Sequence, residues 1–73
     1  MTGLVTQVSG GLVEVDGFRL LTDDGEVEFM VDADSRFLFP EPHLRDHLRS
    51  GEPVSVEYRS DGAGLIVVTV DDA

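Results

Sequence analysis

Apolar and polar residues alternate along most of this chain, which is the pattern of β-strands with one buried face. Glycine-containing turns separate the alternating stretches. Strands are predicted at residues 4–8, 12–21, 26–31, 54–59 and 65–70. The second stretch is either two strands, 12–15 and 18–21, or one long strand that bends at Gly17 and curls the sheet toward closure.

Residues 42–49 break this period of two and predict a short helix. Leu44 and Leu48 are four positions apart, as on one face of a helix. Pro42 suits the first helical turn, and Gly51 can end the helix in the left-handed conformation. A helix of two turns is not stable alone. We therefore expect Leu44 and Leu48 to dock on the open end of a barrel.

The chain order of these elements is three strand regions, a short helix and two further strands. The OB fold, a five-stranded partly open Greek-key barrel, has this order. A chain of 73 residues is long enough for one domain only. We predict one all-β domain over residues 1–73, a small five-stranded OB-like Greek-key barrel with one short helix between strands 3 and 4.

Segments at the start, in the middle and in the last third of the chain resemble small bacterial single-domain OB-fold proteins. Residues 3–8 and 31–35 look like a set of such domains of unassigned function. The last third is similar to bacterial translation initiation factor one in its turn at 50–52, strand at 54–58, acidic glycine turn at 61–64 and apolar strand at 65–68. The second resemblance implies RNA binding. However, the basic loop of that factor has no counterpart, since residues 32–36 read Asp-Ala-Asp-Ser-Arg.

Charge changes the expectation about partners. The chain has fifteen acidic residues and five basic ones, all arginines, for a net charge of −10. Nucleic-acid binding depends first on cations that neutralise phosphate. An acidic surface therefore disfavours nucleic acid and anionic membranes, and favours a partner protein with a basic surface. Solubility and adaptation to salt are the alternative explanations of the charge.

The outer face of strands 2 and 3, which OB domains use to bind oligonucleotides, is acidic here. On this strand assignment the candidate interaction face consists of Glu14, Asp16, Arg19, Glu26, Glu28 and Met30. Oligonucleotide binding needs a positive groove and aromatic platforms. Phe29 and Tyr58 are instead predicted to face the core, and Phe37 and Phe39 to pack beside the helix. We therefore predict a protein–protein interaction module that engages a basic partner or mimics nucleic acid. The alternative is an oligonucleotide-binding domain related to the initiation factor.

The last predicted strand is apolar on both faces. Ile66, Val68 and Val70 are predicted to point inward, which leaves Leu65 and Val67 pointing outward. These two side chains are either covered by loops and the helix region, or form an apolar contact patch for a partner chain or a second copy.

No catalytic set is recognisable: the chain lacks cysteine, a Gly-x-Ser-x-Gly elbow and a phosphate-binding loop. We predict no enzymatic activity and no cofactor. His43 and His47 have the i, i+4 spacing that can chelate a divalent metal. No third ligand is identifiable, so we interpret them as solvated histidines and assign no metal site.

Two further patterns carry no site. Residues 32–35 begin like a calcium loop, but Phe37 and His43 stand where an EF-hand requires glycine and glutamate. The amino-terminal residues show no signal peptide, and no apolar run is long enough for a membrane span. We therefore expect a cytoplasmic protein.

Overall fold

The fold is described by a computed structural model over residues 1–11, 14–62 and 64–73. Its elements in chain order are β1 Thr2–Gly10, β2 Val15–Thr22, β3 Gly25–Met30, β4 Arg36–Phe37, α1 His43–Ser50, β5 Val54–Asp61 and β6 Gly64–Asp72. The stretch predicted at 12–21 is one strand from Val15 onward, with Gly17 inside it. Its predicted start at residues 12 and 13 lies outside the described residues.

Five strands close into a barrel. They are hydrogen-bonded in the order β3-β2-β1-β5-β6, and a parallel pairing of β3 with β6 closes the ring. The other four contacts around the ring are antiparallel. The two-residue β4 adds a parallel extension to β6. The prediction of a small all-β barrel with one short helix between its third and fourth strands is confirmed.

All five barrel strands and the helix contribute apolar side chains to one core. The core cluster consists of Val5, Val15, Phe18, Leu20, Phe29, Leu44, Val54, Val56, Val67 and Val70. Phe18 and Phe29 lie on the paired strands β2 and β3 with ring centroids 5.5 Å apart. Such aromatic pairs add to the stabilisation that burial alone provides.

Helix α1, His43–Ser50, lies within one residue of the predicted 42–49 at each end. Pro42 is its N-cap, and Gly51 ends it with φ of 74° and an N–H that donates to the His47 carbonyl at 3.0 Å. Leu44 is fully buried, but Leu48 is 38% exposed, so the expectation that both leucines dock is wrong for Leu48. His47, three residues after Leu44, faces inward instead. Among the described residues, no helix is long and apolar enough to cross a membrane.

A β-bulge in the β5–β6 ladder overturns the predicted alternation of the last strand. Glu57 pairs with Thr69 and Tyr58 pairs with Val67, which leaves Val68 without an opposite residue. An extra residue of this kind shifts the alternation by one position, so the residues before it have the opposite parity from those after it. Val67 is consequently buried and Val68 exposed, the reverse of the prediction. Tyr58 is 42% exposed, so the prediction that it faces the core is wrong.

Candidate functional site

The outer face of β1, β2 and β3 presents its side chains in rows that run across the three strands. Directly opposite residues of neighbouring strands have side chains close enough to interact. The register gives one row of Gln7, Arg19 and Glu28, and a second row of Ser9, Gly17 and Met30. The two rows are adjacent, since their members are two positions apart on each strand.

A groove with a volume of about 240 Å³ opens on this face. Gly17 forms part of its floor, because the absence of a side chain there leaves a depression between Ser9 and Met30 in the same row. A Cβ added to Gly17 would lie 2.8 Å from the Phe29 carbonyl oxygen, so the two backbones approach closely at this point. The groove walls include Asp16, the Arg19 and Glu28 side chains, and Met30.

The groove carries a net negative charge. Arg19 Nε donates to Glu28 Oε2 at 3.0 Å, across directly paired positions of β2 and β3. Both side chains are largely exposed, so this ion pair contributes at most about 1 kcal/mol to stability. It nevertheless neutralises the single cation in the groove lining. Asp16 forms no ion pair with any residue that the structure describes, which leaves its carboxylate available to a ligand.

All six residues of the predicted interaction face are exposed. The groove brings four of them together, namely Asp16, Arg19, Glu28 and Met30. Glu26 lies beyond the groove, opposite Leu21, and Glu14 precedes the first residue of β2. Sequence reasoning missed the contribution of β1, Gln7 and Ser9, because it did not predict which residues of that strand lie opposite Gly17 and Arg19.

Most of the arginines are engaged by groups within the described residues of the chain. Four of the five bond to groups of the same chain: Arg19 to Glu28, Arg45 to the Gly11 carbonyl, Arg49 to Asp46 and Arg59 to Asp32. Phe37 and Phe39 are half-buried against the core, as predicted, and the Phe39 ring also packs on His43 and His47. These four guanidinium groups therefore form bonds inside the chain and do not build the positive groove that oligonucleotide binding needs.

The segment that begins like a calcium loop is a hydrogen-bonded turn. The Asp34 amide donates to Asp32 Oδ1 at 3.0 Å, and Arg59 Nη2 donates to Asp32 Oδ2 at 2.7 Å. Partial desolvation raises the pKa of Asp32, but the bonds from Asp34, Ser35 and Arg59 outweigh this effect and hold the pKa below its usual 3.8. The carboxylate is thus engaged in fastening the turn to β5.

The two histidines meet the end of β6, which the sequence did not indicate. Asp72 Oδ1 lies 2.6 Å from His47 Nε2 and 3.4 Å from His43 Nε2. The His47 side chain is only 3% exposed, so its interpretation as a solvated histidine is wrong. His43 is partly exposed, at 42%. Asp72 is therefore the third potential ligand, beside the two histidines, that the sequence did not identify.

The predicted apolar contact patch of Leu65 and Val67 is wrong. Val67 is 1% exposed and belongs to the core cluster. Leu65 is half-buried, packs against the core and pairs with Phe29 where β3 and β6 close the barrel. Neither explanation offered for outward-pointing side chains applies, because both side chains pack against the core.

Comparisons with protein-family models, curated proteins and solved structures found no match to this chain. The resemblance to translation initiation factor one and to small bacterial OB-fold proteins stays a prediction.

Proposed function

We propose that this chain is an OB-like, non-enzymatic interaction module that binds a basic segment of a partner protein on the outer face of β1, β2 and β3. The observation that carries the proposal is the groove above Gly17, with the Asp16 carboxylate on its wall. The cyclic strand order β1-β2-β3-β6-β5 supports the OB-like assignment, together with a helix between the third and fourth barrel strands.

The groove suits one arginine side chain of a partner. A carboxylate accepts two parallel hydrogen bonds from a guanidinium, and Asp16 has no internal ion pair within the described part of the chain that would compete. The Met30 thioether is soft and adaptable, so it can cover the aliphatic stem of the incoming side chain. Glu28 already holds the guanidinium of Arg19 at 3.0 Å, which demonstrates that this wall accommodates such a group.

The charge of the whole molecule supports the same choice of partner. Of the fifteen acidic residues, five form ion pairs within the part of the chain that the structure describes: Glu28, Asp32, Asp46, Asp61 and Asp72. The remaining carboxylates give the surface a negative potential that attracts cationic segments and accelerates their association. The same potential repels phosphate, so it opposes oligonucleotide binding on this face.

A binding titration tests this proposal. We would titrate the chain into a fluorescein-labelled arginine-rich peptide and, separately, into labelled single-stranded RNA, both at low salt, and follow fluorescence anisotropy. We expect peptide binding that weakens with added salt, and none to RNA. Asp16→Asn should weaken peptide binding about tenfold or more, because a hydrogen bond to a charged group contributes about 1.5–3 kcal/mol.

Asp24→Asn is the matched control for Asp16→Asn. It removes the same charge in the turn between β2 and β3, at the opposite end of this hairpin from the groove. Asp24→Asn should leave peptide affinity nearly unchanged. Equal weakening by both substitutions would mean that the peptide senses only net charge, and the groove would have no role. Binding of RNA without binding of the peptide would replace the proposal by the oligonucleotide-binding alternative.

A further inference from the structure

Three potential metal ligands converge where helix α1 meets the end of β6. Ligand atoms of His43, His47 and Asp72 all lie within 4.8 Å of one another. The histidines are four residues apart on α1, so both rings project from one side of the helix. Asp72 reaches them because it pairs with Val54, the first residue of β5, shortly after the helix ends.

The hydrogen bonds of His47 call for either a proton or a metal ion between its Nε2 and Asp72. His47 Nδ1 lies 2.8 Å from the Glu52 carbonyl oxygen, which can only accept, so Nδ1 carries a hydrogen. Nε2 then faces Asp72 Oδ1 at 2.6 Å. A bare nitrogen lone pair and a carboxylate oxygen would repel each other at this distance. A proton on Nε2 resolves the repulsion, and so does a metal ion bound by both atoms.

His43 completes the geometry of a metal site. Its Nε2 lies 3.4 Å from Asp72 Oδ1. Ligands around tetrahedral zinc are about 3.3 Å apart, given bonds of about 2.0–2.1 Å. The 2.6 Å separation of His47 from Asp72 would widen by about 0.7 Å to reach the same value. The Asp72 side chain is 58% exposed and can rotate to widen this separation.

The surroundings orient both rings. A metal-binding histidine usually donates a hydrogen bond from its second ring nitrogen to a carboxylate or a backbone carbonyl. His47 Nδ1 is hydrogen-bonded to the Glu52 carbonyl in this way. His43 Nδ1 lies 3.4 Å from Asp46 Oδ2, and the Asp46 carboxylate is in turn bonded to Arg49 at 2.5 Å. The Phe39 ring packs on both imidazoles, at centroid distances of 4.9 and 5.5 Å.

We propose that His43 Nε2, His47 Nε2 and a carboxylate oxygen of Asp72 bind one divalent transition-metal ion, with Zn²⁺ as the preferred metal. Two imidazoles and one carboxylate form a typical zinc ligand set, and three protein ligands leave a fourth position for water or a partner's side chain. Calcium and magnesium prefer oxygen ligands throughout and do not fit this donor set. Because the metal bridges α1 and β6, its binding stabilises the folded chain.

Isothermal titration calorimetry of the full chain with Zn²⁺ tests this site. We expect one zinc ion per chain, and a melting temperature that rises by about 10 °C or more when free zinc is a hundred times the Kd. Asp72→Asn and His43→Gln should each weaken zinc binding at least about tenfold. Loss of a group that only supports a metal ligand already weakens metal binding by about tenfold or more, so loss of a ligand should do at least as much. His43 is partly exposed, so its replacement does not open the core.

Asp71→Asn is the matched control, since it removes the same charge from the neighbouring exposed residue of β6. It should leave the zinc affinity unchanged. In NMR spectra, zinc should shift the ring signals of His43 and His47, the only two histidines of the chain. Absence of zinc binding, unshifted histidine signals, or equal losses in Asp71→Asn and Asp72→Asn would overturn the proposal, leaving a hydrogen bond that only fastens the helix.

Discussion

Leu44 anchors helix α1 to the barrel, so we expect Leu44→Ala to be among the most destabilising substitutions in this chain. The side chain is fully buried and is the only helical member of the core cluster within the described residues. Leucine-to-alanine changes at such sites cost about 2–5 kcal/mol, since they remove apolar contacts and leave a cavity. A loss of about 3 kcal/mol corresponds to a fall of about 12–24 °C in the melting temperature of a domain of this size.

Leu48→Ala provides the matched control, because it deletes the same atoms from the same helix. Leu48 is 38% exposed, so its replacement should cost about 1 kcal/mol or less. Urea denaturation followed by far-UV circular dichroism would measure the free energy of unfolding of both variants. If Leu48→Ala cost as much as Leu44→Ala, the helix would be rotated relative to the structure described above, and the inward position of His47 would be refuted with it.

Two further predictions concern backbone packing and charge. Gly17→Ala should lower the free energy of unfolding in urea by about 1–3 kcal/mol, because the new Cβ would lie 2.8 Å from the Phe29 carbonyl oxygen. Gly62→Ala is the control, since its Cβ meets no atom within 4 Å and the substitution should be neutral. Equal effects of the two substitutions would refute the close approach. The pKa of Asp32 is lowered, so this carboxylate stabilises the fold above its usual 3.8 and loses that effect as pH falls through the lower folded value. A carboxyl NMR titration with its midpoint at or above 3.8 would contradict this.

The sequence was sufficient for the elements that depend on local patterns. The alternation of residues 26–31 places Phe29 in the core and Glu28 on the outside, as observed. Helix α1 was predictable because Pro42 and Gly51 act on the backbone directly, through a fixed φ at one end and a left-handed residue at the other. The closed barrel followed from the chain order of these elements.

Features that depend on pairing between distant strands were not predictable from the residues. The bulge at Val68 exists because β5 and β6 change register there, and a run of four apolar residues gives no local sign of which one is extra. The two-residue β4 is likewise defined only by its pairing with β6. Period-two reasoning therefore failed at Val67 and Val68, although it placed Val70 correctly in the core and succeeded on both faces of β3.

The two candidate sites differ in the same way. Three of the predicted interaction-face residues in the groove, Arg19, Glu28 and Met30, follow from strand parity, whereas Asp16 lies outside because the β1–β2 ladder is irregular at that point. The metal cluster was only half visible: the spacing of His43 and His47 is local, but Asp72 is 25 residues beyond His47. Its carboxylate reaches the helix only through its pairing with Val54 on β5, which no local pattern encodes.

The positions of the two sites allow each proposal to be tested without the other. The groove is lined by residues of β1, β2 and β3, and the metal cluster by residues of α1 and β6, so they share no residue and no strand. Substitutions at independent sites affect independent functions. Asp16→Asn should therefore weaken peptide binding and leave zinc binding intact, and Asp72→Asn should do the opposite. If either substitution weakened both, the negative charge of the whole surface, and no particular site, would govern binding.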